Sequence, residues 1–253
     1  MALAQPPFQP YEGQPGKDVV WVPTPPALVE KMLDLARVTA KDFVVDLGSG
    51  DGRNVIAAAK RGASALGVEY DPEMVKLSQQ NAAAAGVADK AKFVQGDMFE
   101  ADFTQATVLA LFLLPANLDK LRDKFLQLPA GTRIVNNGYK IRGWEEAEIG
   151  HSDGFCTTWC TAYLYIVPAK VAGAWRLPAG EIHFKQDFQA VTGTLKTKDG
   201  RTLPVQGSVS GERIRFSVGL DVYSGRVRGQ EMSGNAEGSV SGYWKASQVS
   251  NDR

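Results

Sequence analysis

The chain has 253 residues, 44% of them hydrophobic, so it can bury a sizeable core without metals or disulfides. Its 28 basic and 28 acidic residues cancel. This excludes the positive net field that draws proteins to nucleic acid or anionic lipid, and no nucleic acid partner is expected. No apolar run reaches the roughly 18–20 residues that a membrane-spanning helix needs.

The first 26 residues are rich in proline and glycine and predict an extended arm. This arm ends in Trp21-Val-Pro-Thr24-Pro25-Pro26. Thr24 is a good N-cap, and Pro25 is a good first helical residue because no N–H is needed there. A helix over residues 27–37 is therefore predicted.

From residue 43 onwards, β-rich segments alternate with segments of helical periodicity. The predicted strands cover residues 43–47, 64–69, 92–95, 106–113 and 132–137, and the predicted helices cover 52–61, 72–85 and 116–128. Such alternation implies an α/β fold with a doubly wound, Rossmann-like parallel sheet. Thr157–Val167, which is rich in aromatic and β-branched residues, is predicted as the final strand.

Three glycines lie in the turn after the first of these strands, in Asp46-Leu-Gly-Ser-Gly-Asp-Gly-Arg53. Glycine tolerates positive φ and lets a ligand approach the backbone, and the helix that follows offers free N–H groups. This pattern predicts a nucleotide-type site at the carboxyl edge of the sheet. Because Asp46 would repel a pyrophosphate, a ligand with an ammonium or sulfonium group is favoured. Glu69, which ends the second strand, suits a ribose diol, and Asp97 after the third could hold an adenine amino group.

The pattern changes after Pro168, where helical periodicity ends. Short alternating runs follow, at Glu181–Phe188, Ala190–Lys196, Leu203–Val209, Arg213–Val218, Asp221–Arg228 and Val240–Lys245. They predict about six antiparallel strands in a small barrel or sandwich, with a junction at residues 173–178. The expected organisation is an arm over residues 1–26, an α/β domain over 27–172 and a β domain over 173–253.

Cys156 and Cys160 are the only cysteines of the chain. Their spacing, with no histidine-rich partner segment, is a poor zinc signature, and no metal site is expected. Two half-buried thiols near a strand are the favoured interpretation. A disulfide requires that the segment is not extended, because strand residues four apart lie about 13 Å apart.

With these motifs in this order, residues 18–170 resemble the class I S-adenosylmethionine-dependent methyltransferases. The resemblance implies S-adenosylmethionine as the cofactor, bound through the glycine loop at Gly48, Ser49 and Gly50. Asp46 would face its amino group and sulfonium, and Glu69 would accept hydrogen bonds from both ribose hydroxyls. The final strand would be antiparallel.

Three further cofactor residues follow from the same resemblance. Tyr70 would lie beside the adenine, Asp97 would bind its amino group, and Met98 would donate its backbone N–H and pack on the ring. Tyr70 and Met98 could equally be core residues.

A narrower resemblance rests on three motifs together: Trp21-Val-Pro-Thr-Pro25 in the arm, the glycine loop Asp46–Arg53, and the turn after the fourth strand, Phe112-Leu-Leu-Pro115. It is to the small archaeal and mitochondrial-type protein-lysine methyltransferases and their uncharacterised bacterial relatives. It implies that Thr24 contacts the cofactor carboxylate and that Trp21 lines the methyl channel, unless Trp21 only packs in the core. Tyr139 could border the acceptor pocket, although a tyrosine at a strand end is more often a packing residue.

The function expected from this resemblance is direct in-line methyl transfer to an amine such as a protein lysine. One alternative is a small-molecule thiol, oxygen or lipid-like acceptor, and another is a non-catalytic binding protein that acts through the β domain. A cytoplasmic location is expected because the cofactor is made there. Export is the alternative if Ala2-Leu3-Ala4 is the remnant of a secretory signal.

Overall fold

Residues 8–152 and 156–249, which the computed structural model describes, divide into two units. One unit holds the described residues up to Leu128 together with Thr132–Tyr165, and the other holds Pro129–Gly131 and the described residues from Ile166 onwards. No helix in the described part of the chain is long and apolar enough to cross a membrane. The Ala2-Leu3-Ala4 motif lies outside the described residues.

The first unit is built on a seven-stranded sheet. Its strands are β1 (Phe43–Leu47), β2 (Ser64–Glu69), β3 (Ala91–Gln95), β4 (Val108–Leu111), β5 (Arg133–Asn137), β6 (Glu148–His151) and β7 (Thr161–Ile166), in the order β3-β2-β1-β4-β5-β7-β6. Strands β1 to β5 pair in parallel, and β6 pairs with β7 antiparallel. The expected doubly wound sheet is confirmed. Its strand order reverses between β1 and β4, and ligands bind at such a switch point.

The described residues form four helices. Helix α1 (Pro26–Leu35) precedes β1, and α2 (Arg53–Lys60), α3 (Pro72–Ala84) and α4 (Pro115–Phe125) connect strands of the sheet. Asp71 caps α3 by accepting a hydrogen bond from the backbone N–H of Glu73 at 2.9 Å. The expected N-cap role of Thr24 is wrong, because Pro25 occupies the cap position and α1 begins at Pro26. The hydroxyl of Thr24 instead accepts a hydrogen bond from the Asn137 side chain.

The expected strand Thr157–Val167 begins only at Thr161, because a disulfide joins Cys156 to Cys160. Their Cα atoms are 5.9 Å apart, so the segment between them bends and is not extended. The interpretation of these cysteines as thiols is therefore wrong. Strand β6 was not predicted, since it has four residues and only one of them is buried.

The second unit is a closed antiparallel barrel of eight strands. The expected β domain is confirmed, and of the two expected architectures it is the barrel and not the sandwich. Its strands are β8 (Gly173–Leu177), β9 (Gly180–Asp187), β10 (Ala190–Thr197), β11 (Thr202–Ser210), β12 (Arg213–Val218), β13 (Asp221–Arg228), β14 (Glu231–Glu237) and β15 (Gly242–Gln248). The expectation of six strands was too low. The segment expected as a junction is β8, which buries Trp175, and β14 carries few apolar residues to mark it.

Aromatic side chains fill the barrel interior. Phe216 stacks on Tyr223 with ring centroids 4.8 Å apart, and Trp244 meets both rings edge-on at 5.6 and 5.7 Å. Gly225 and Gly234 are paired across β13 and β14 beside this cluster. A Cβ on Gly225 would lie 2.8 Å from the Trp244 ring, so glycine makes the room that the indole occupies.

Candidate functional site

A cavity of about 280 Å³ lies in the first unit, where the carboxyl ends of β1, β2 and β3 meet the N-terminal arm. The structure brings all the candidate residues of the sequence analysis to its walls. They are Trp21, Thr24, Asp46, Gly48, Ser49, Gly50, Glu69, Tyr70, Asp97, Met98 and Tyr139. The cavity therefore lies at the switch point of the sheet, where the topology places a ligand site.

The glycine loop has the backbone that its sequence predicts. Gly48, Gly50 and Gly52 all have positive φ, at 77°, 54° and 85°. A Cβ on Gly50 would lie 2.5 Å from Nε1 of Trp21, so only glycine fits beneath that indole. Trp21 is half-buried against the loop and lines the cavity, which excludes a role purely in the core.

Glu69 is fixed by two backbone donors. Its Oε2 accepts from the N–H of Gly50 at 2.8 Å, and its Oε1 accepts from the N–H of Asp71 at 3.0 Å. Each carboxylate oxygen keeps a lone pair, since such an oxygen can accept two hydrogen bonds. Glu69 can therefore accept from a ligand diol while the loop holds it in place.

Asp46 is only 3% exposed, and its Oδ2 accepts a hydrogen bond from Nδ2 of Asn54 at 3.1 Å. Burial raises the pKa of Asp46 well above its ordinary value, and the charges of Glu69 and Asp51 act in the same direction, against the hydrogen bond from Asn54. A carboxylate in this environment is stabilised by a cation and destabilised by an anion.

Asp97 is already engaged by a residue that the sequence analysis did not single out. Its Oδ2 accepts a hydrogen bond from Lys17 of the arm, and its Oδ1 accepts from the N–H of Phe99 at 2.9 Å. The Lys17 ammonium also lies 4.9 Å from the centroid of the Tyr70 ring. Lys17 therefore stands where an adenine amino group was expected to bind Asp97.

The sequence alone does not decide whether Tyr70 and Met98 contact the cofactor or belong to the core. In the structure these two residues differ in burial. Tyr70 is 52% exposed, so it is not a core residue, whereas Met98 is buried. Both line the cavity.

Two buried asparagines hold the arm and the loops around the cavity. Nδ2 of Asn137 donates to Oγ1 of Thr24 at 3.3 Å. Oδ1 of Asn136 accepts from the N–H of Leu113 at 3.0 Å, and its Nδ2 donates to the carbonyl of Tyr139 at 2.9 Å. Sequence reasoning gave these residues no role. The available signal was a pair of amides directly after the apolar residues Ile134 and Val135, because buried amides need hydrogen-bond partners.

Trp159, which lies between the bonded cysteines, is a further cavity residue that was missed. Its ring centroid is 5.0 Å from that of Phe112 and 5.4 Å from that of Tyr139. We call these three residues the aromatic wall. No sequence signal separated Trp159 from the strand-like residues that follow it.

The residues of the cavity fit S-adenosylmethionine. A buried carboxylate suits its cationic methionine part, Glu69 suits its ribose, and the side-chain-free loop allows close approach. The described residues contain no group of three or more His, Cys, Asp or Glu side chains that could hold a metal ion.

Comparison with known proteins places the cavity in a family context. The family model described as the ANTKMT methyltransferase domain matches residues 46–148. A protein-lysine N-methyltransferase of Saccharolobus islandicus is 40% identical over 153 residues, which are 59% of this chain and 94% of that protein. The adenine nucleotide translocase lysine N-methyltransferase of mouse is 33% identical over 48% of this chain and 53% of its own length.

Among solved structures, an RNA methyltransferase from Salinibacter ruber in complex with S-adenosyl-L-homocysteine is 43% identical, with a TM-score of 0.55. The match covers 59% of this chain and 96% of that one.

Proposed function

We propose that this chain, which belongs to the family of class I S-adenosylmethionine-dependent methyltransferases that contains the protein-lysine N-methyltransferases, methylates lysine side chains of protein. The observation that carries the acceptor is the 40% identity to the archaeal lysine enzyme over 94% of that enzyme's length. The enzyme class and the cofactor expected from the sequence are thereby confirmed.

S-adenosylmethionine supplies an electrophilic methyl group when it is bound. We assign its methionine part to Asp46 and to the loop of Gly48, Ser49 and Gly50, and its ribose to Glu69. These residues bind and orient, and alignment alone contributes about 7–11 kcal/mol in favourable cases. The expected alternative of a non-catalytic binding protein is set aside, because the chain belongs to an enzyme family.

We assign the adenine end to Tyr70, Asp97 and Met98. For the adenine amino group to reach Asp97, the Lys17 ammonium has to leave it. Lys17 is exposed and belongs to the arm, so this exchange costs only a surface ion pair, which is weak because water screens it. Thr24 and Trp21 then cover the methionine end from the arm.

The acceptor amine must lose a proton before it can form a bond to carbon. Lysine is protonated at neutral pH, and the product is again a cation, so each turnover releases one proton. Trp21 and Tyr139 line the cavity where the amine has to arrive, and we assign the acceptor channel to them.

The test is methylation of lysine-rich proteins by the purified enzyme, read by peptide mass spectrometry as added methyl groups on lysine. Asp46→Asn should abolish the product, because it removes the charge that favours a cationic ligand. Asp123→Asn, the same change at a position 87% exposed on α4, is the matched control and should remain active.

Two other acceptor classes are outcomes of the same test. RNA is included because the Salinibacter structure is described as an RNA methyltransferase. Small amines, thiols and alcohols are included because the match to the archaeal lysine enzyme covers 94% of that enzyme but only 59% of this chain, so part of this chain has no counterpart in it. Methyl transfer to RNA or to a small molecule, with lysine unmodified, would refute the lysine proposal.

We place the enzyme in the cytoplasm, where its cofactor is made. The disulfide argues for the exported alternative, because disulfides persist mainly in oxidising compartments. Acid quenching of cells followed by thiol alkylation decides between them. Alkylated Cys156 and Cys160 support the cytoplasm, and an intact disulfide supports export.

A further inference from the structure

The aromatic wall of Phe112, Tyr139 and Trp159 is not part of the hydrophobic core. All three side chains are half-buried and line the cavity. The Trp159 ring meets Phe112 edge-on at an interplanar angle of 62° and Tyr139 at 52°. These tilted rings form a continuous aromatic part of the cavity lining.

The chain holds Trp159 in this place at a conformational cost. Its φ is 57°, in the left-handed region that bulky residues rarely adopt. Backbone outliers of this kind are energetically unfavourable, and they cluster at active sites and ligand-binding segments. Trp159 lies in the short loop that the disulfide between Cys156 and Cys160 closes.

Gly138, which directly follows β5, leaves room for the indole of Trp159. A Cβ on Gly138 would lie 2.8 Å from Cε3 of Trp159, so the ring packs directly on the glycine backbone. Gly138 is followed by Tyr139, whose carbonyl is fixed by Asn136. Both sides of the Trp159–Tyr139 contact are thus held by local structure.

We propose that the aromatic wall binds the positively charged group of the methyl acceptor, and that Trp159 determines the specificity for a cationic acceptor. Aromatic faces attract ammonium groups, tryptophan most strongly, and quaternary ammonium groups are recognised by such aromatic cages.

This inference rests on the proposed function for the identity of the acceptor, a lysine, but not for the presence of the cation site. An ammonium group is present both in the arriving lysine and in the methylated product. The attacking nitrogen also gains positive charge as its bond to carbon forms. The wall therefore acts on binding and on the charge that develops during transfer.

Trp159 is tested by a binding experiment that needs no turnover. Calorimetry measures the affinity of the enzyme, saturated with S-adenosylhomocysteine, for choline and for its uncharged isostere 3,3-dimethylbutan-1-ol. We expect choline to bind more tightly than the alcohol. Trp159→Leu keeps apolar bulk without the π face and should weaken choline binding about five- to thirtyfold, whereas Trp159→Phe should retain most of it.

Unchanged affinity for S-adenosylhomocysteine shows that each variant is folded. Equal binding of choline and the alcohol, or equal choline affinity in the wild type and in Trp159→Leu, would overturn the proposal.

Turnover distinguishes this inference from the lysine proposal. With a lysine peptide, Trp159→Leu should raise KM by the same factor as its loss of choline affinity, with the KM for S-adenosylmethionine unchanged. If the wild type binds choline through Trp159 but never methylates lysine, the lysine proposal fails and the cation site stands. If lysine is methylated with the same KM in both proteins, the cation site fails and the lysine proposal stands.

Discussion

At the scale of one residue, the buried carboxyl of Asp46 lowers the stability of the free protein and favours the binding of a cation. The carboxyl is buried beside two other acids and has one side-chain hydrogen bond, from Asn54. Its charged form is therefore unfavourable until a cation arrives. In the proposed site, such a group would stabilise the complex at the expense of the free protein, as active-site groups commonly do.

We expect the affinity for S-adenosylmethionine to rise with pH through the raised pKa of Asp46. The cation binds the ionised carboxyl, so below that pKa binding must release a proton. Calorimetry in two buffers with different ionisation enthalpies measures this release. In Asp46→Asn the affinity should be lower and this proton release absent. Equal proton release in the variant and the wild type would assign it to another group.

The same shift predicts the effect of Asp46 on stability. A carboxyl with a raised pKa stabilises the folded state only while it is protonated, so the free energy of unfolding falls as pH rises above the ordinary value of 3.8. Asp46→Asn should therefore raise the melting temperature of the ligand-free enzyme at neutral pH. A lower melting temperature would mean that hydrogen bonding, and not charge burial, dominates at this position.

At the scale of elements, Asp42 joins the starts of three strands. Its Oδ1 accepts hydrogen bonds from Arg133 and from Oγ1 of Thr107, and its Oδ2 accepts from the N–H of Thr39 at 2.8 Å. Arg133 also donates to the carbonyl of Ala36 at the end of α1, at 2.7 Å. Burial raises the pKa of Asp42, but the hydrogen bonds from Arg133, Thr39 and Thr107 outweigh it and lower the pKa overall.

We expect Arg133→Met to lower the free energy of unfolding by about 1.5–3 kcal/mol at neutral pH, the range for hydrogen bonds to charged groups. The stability that Asp42 supplies is present above 3.8 and is lost as pH falls through its lowered pKa, so the variant should differ less from the wild type in acid. Urea unfolding at both pH values measures this. Arg122→Met, on the exposed side of α4, is the control, and a loss equal in both variants would contradict the role of Asp42.

The elements that sequence predicts well are those whose pattern is local. Apolar runs followed by glycine or by Asp-Pro predict the bounds of β1, β2 and α3 to within a residue or two. Thr24 was misplaced because its hydroxyl is taken by Asn137, more than a hundred positions away in the chain. Trp159 was missed because its place depends on a disulfide and on Gly138, neither of which periodicity can show.

For the molecule as a whole, the change of pattern after Pro168 was enough to predict a second, antiparallel unit. The pattern was not enough to predict the number of strands. Strand β14 consists mainly of glycine, serine, asparagine and glutamate, and it has only two buried apolar residues, Met232 and Ala236. Its partners are set by barrel closure, which is a property of all eight strands together.

Gly234 tests how tightly this barrel is filled. A Cβ there would overlap the carbonyl oxygen of Ser224 on the paired strand, and the backbone would have to move. We expect Gly234→Ala to destabilise the barrel by about 1–3 kcal/mol, as overpacking does. Faster amide exchange in β13 and β14 would show it. Asn235→Ala, at an exposed position of β14, should leave exchange unchanged, and equally slow exchange in Gly234→Ala would mean that the strands relax without cost.

The way in which the barrel closes also determines how it would come apart. Within the described residues, β15 meets β8 through the register pairs Ser247–Arg176 and Gln248–Trp175 and the N–H of Val249, whereas other neighbours pair along most of their length. Parting this seam turns a cylinder without free edges into a curved sheet with two, and such edges template aggregation between molecules. We therefore expect the aggregation rate of concentrated protein to depend on how often β15 separates from β8.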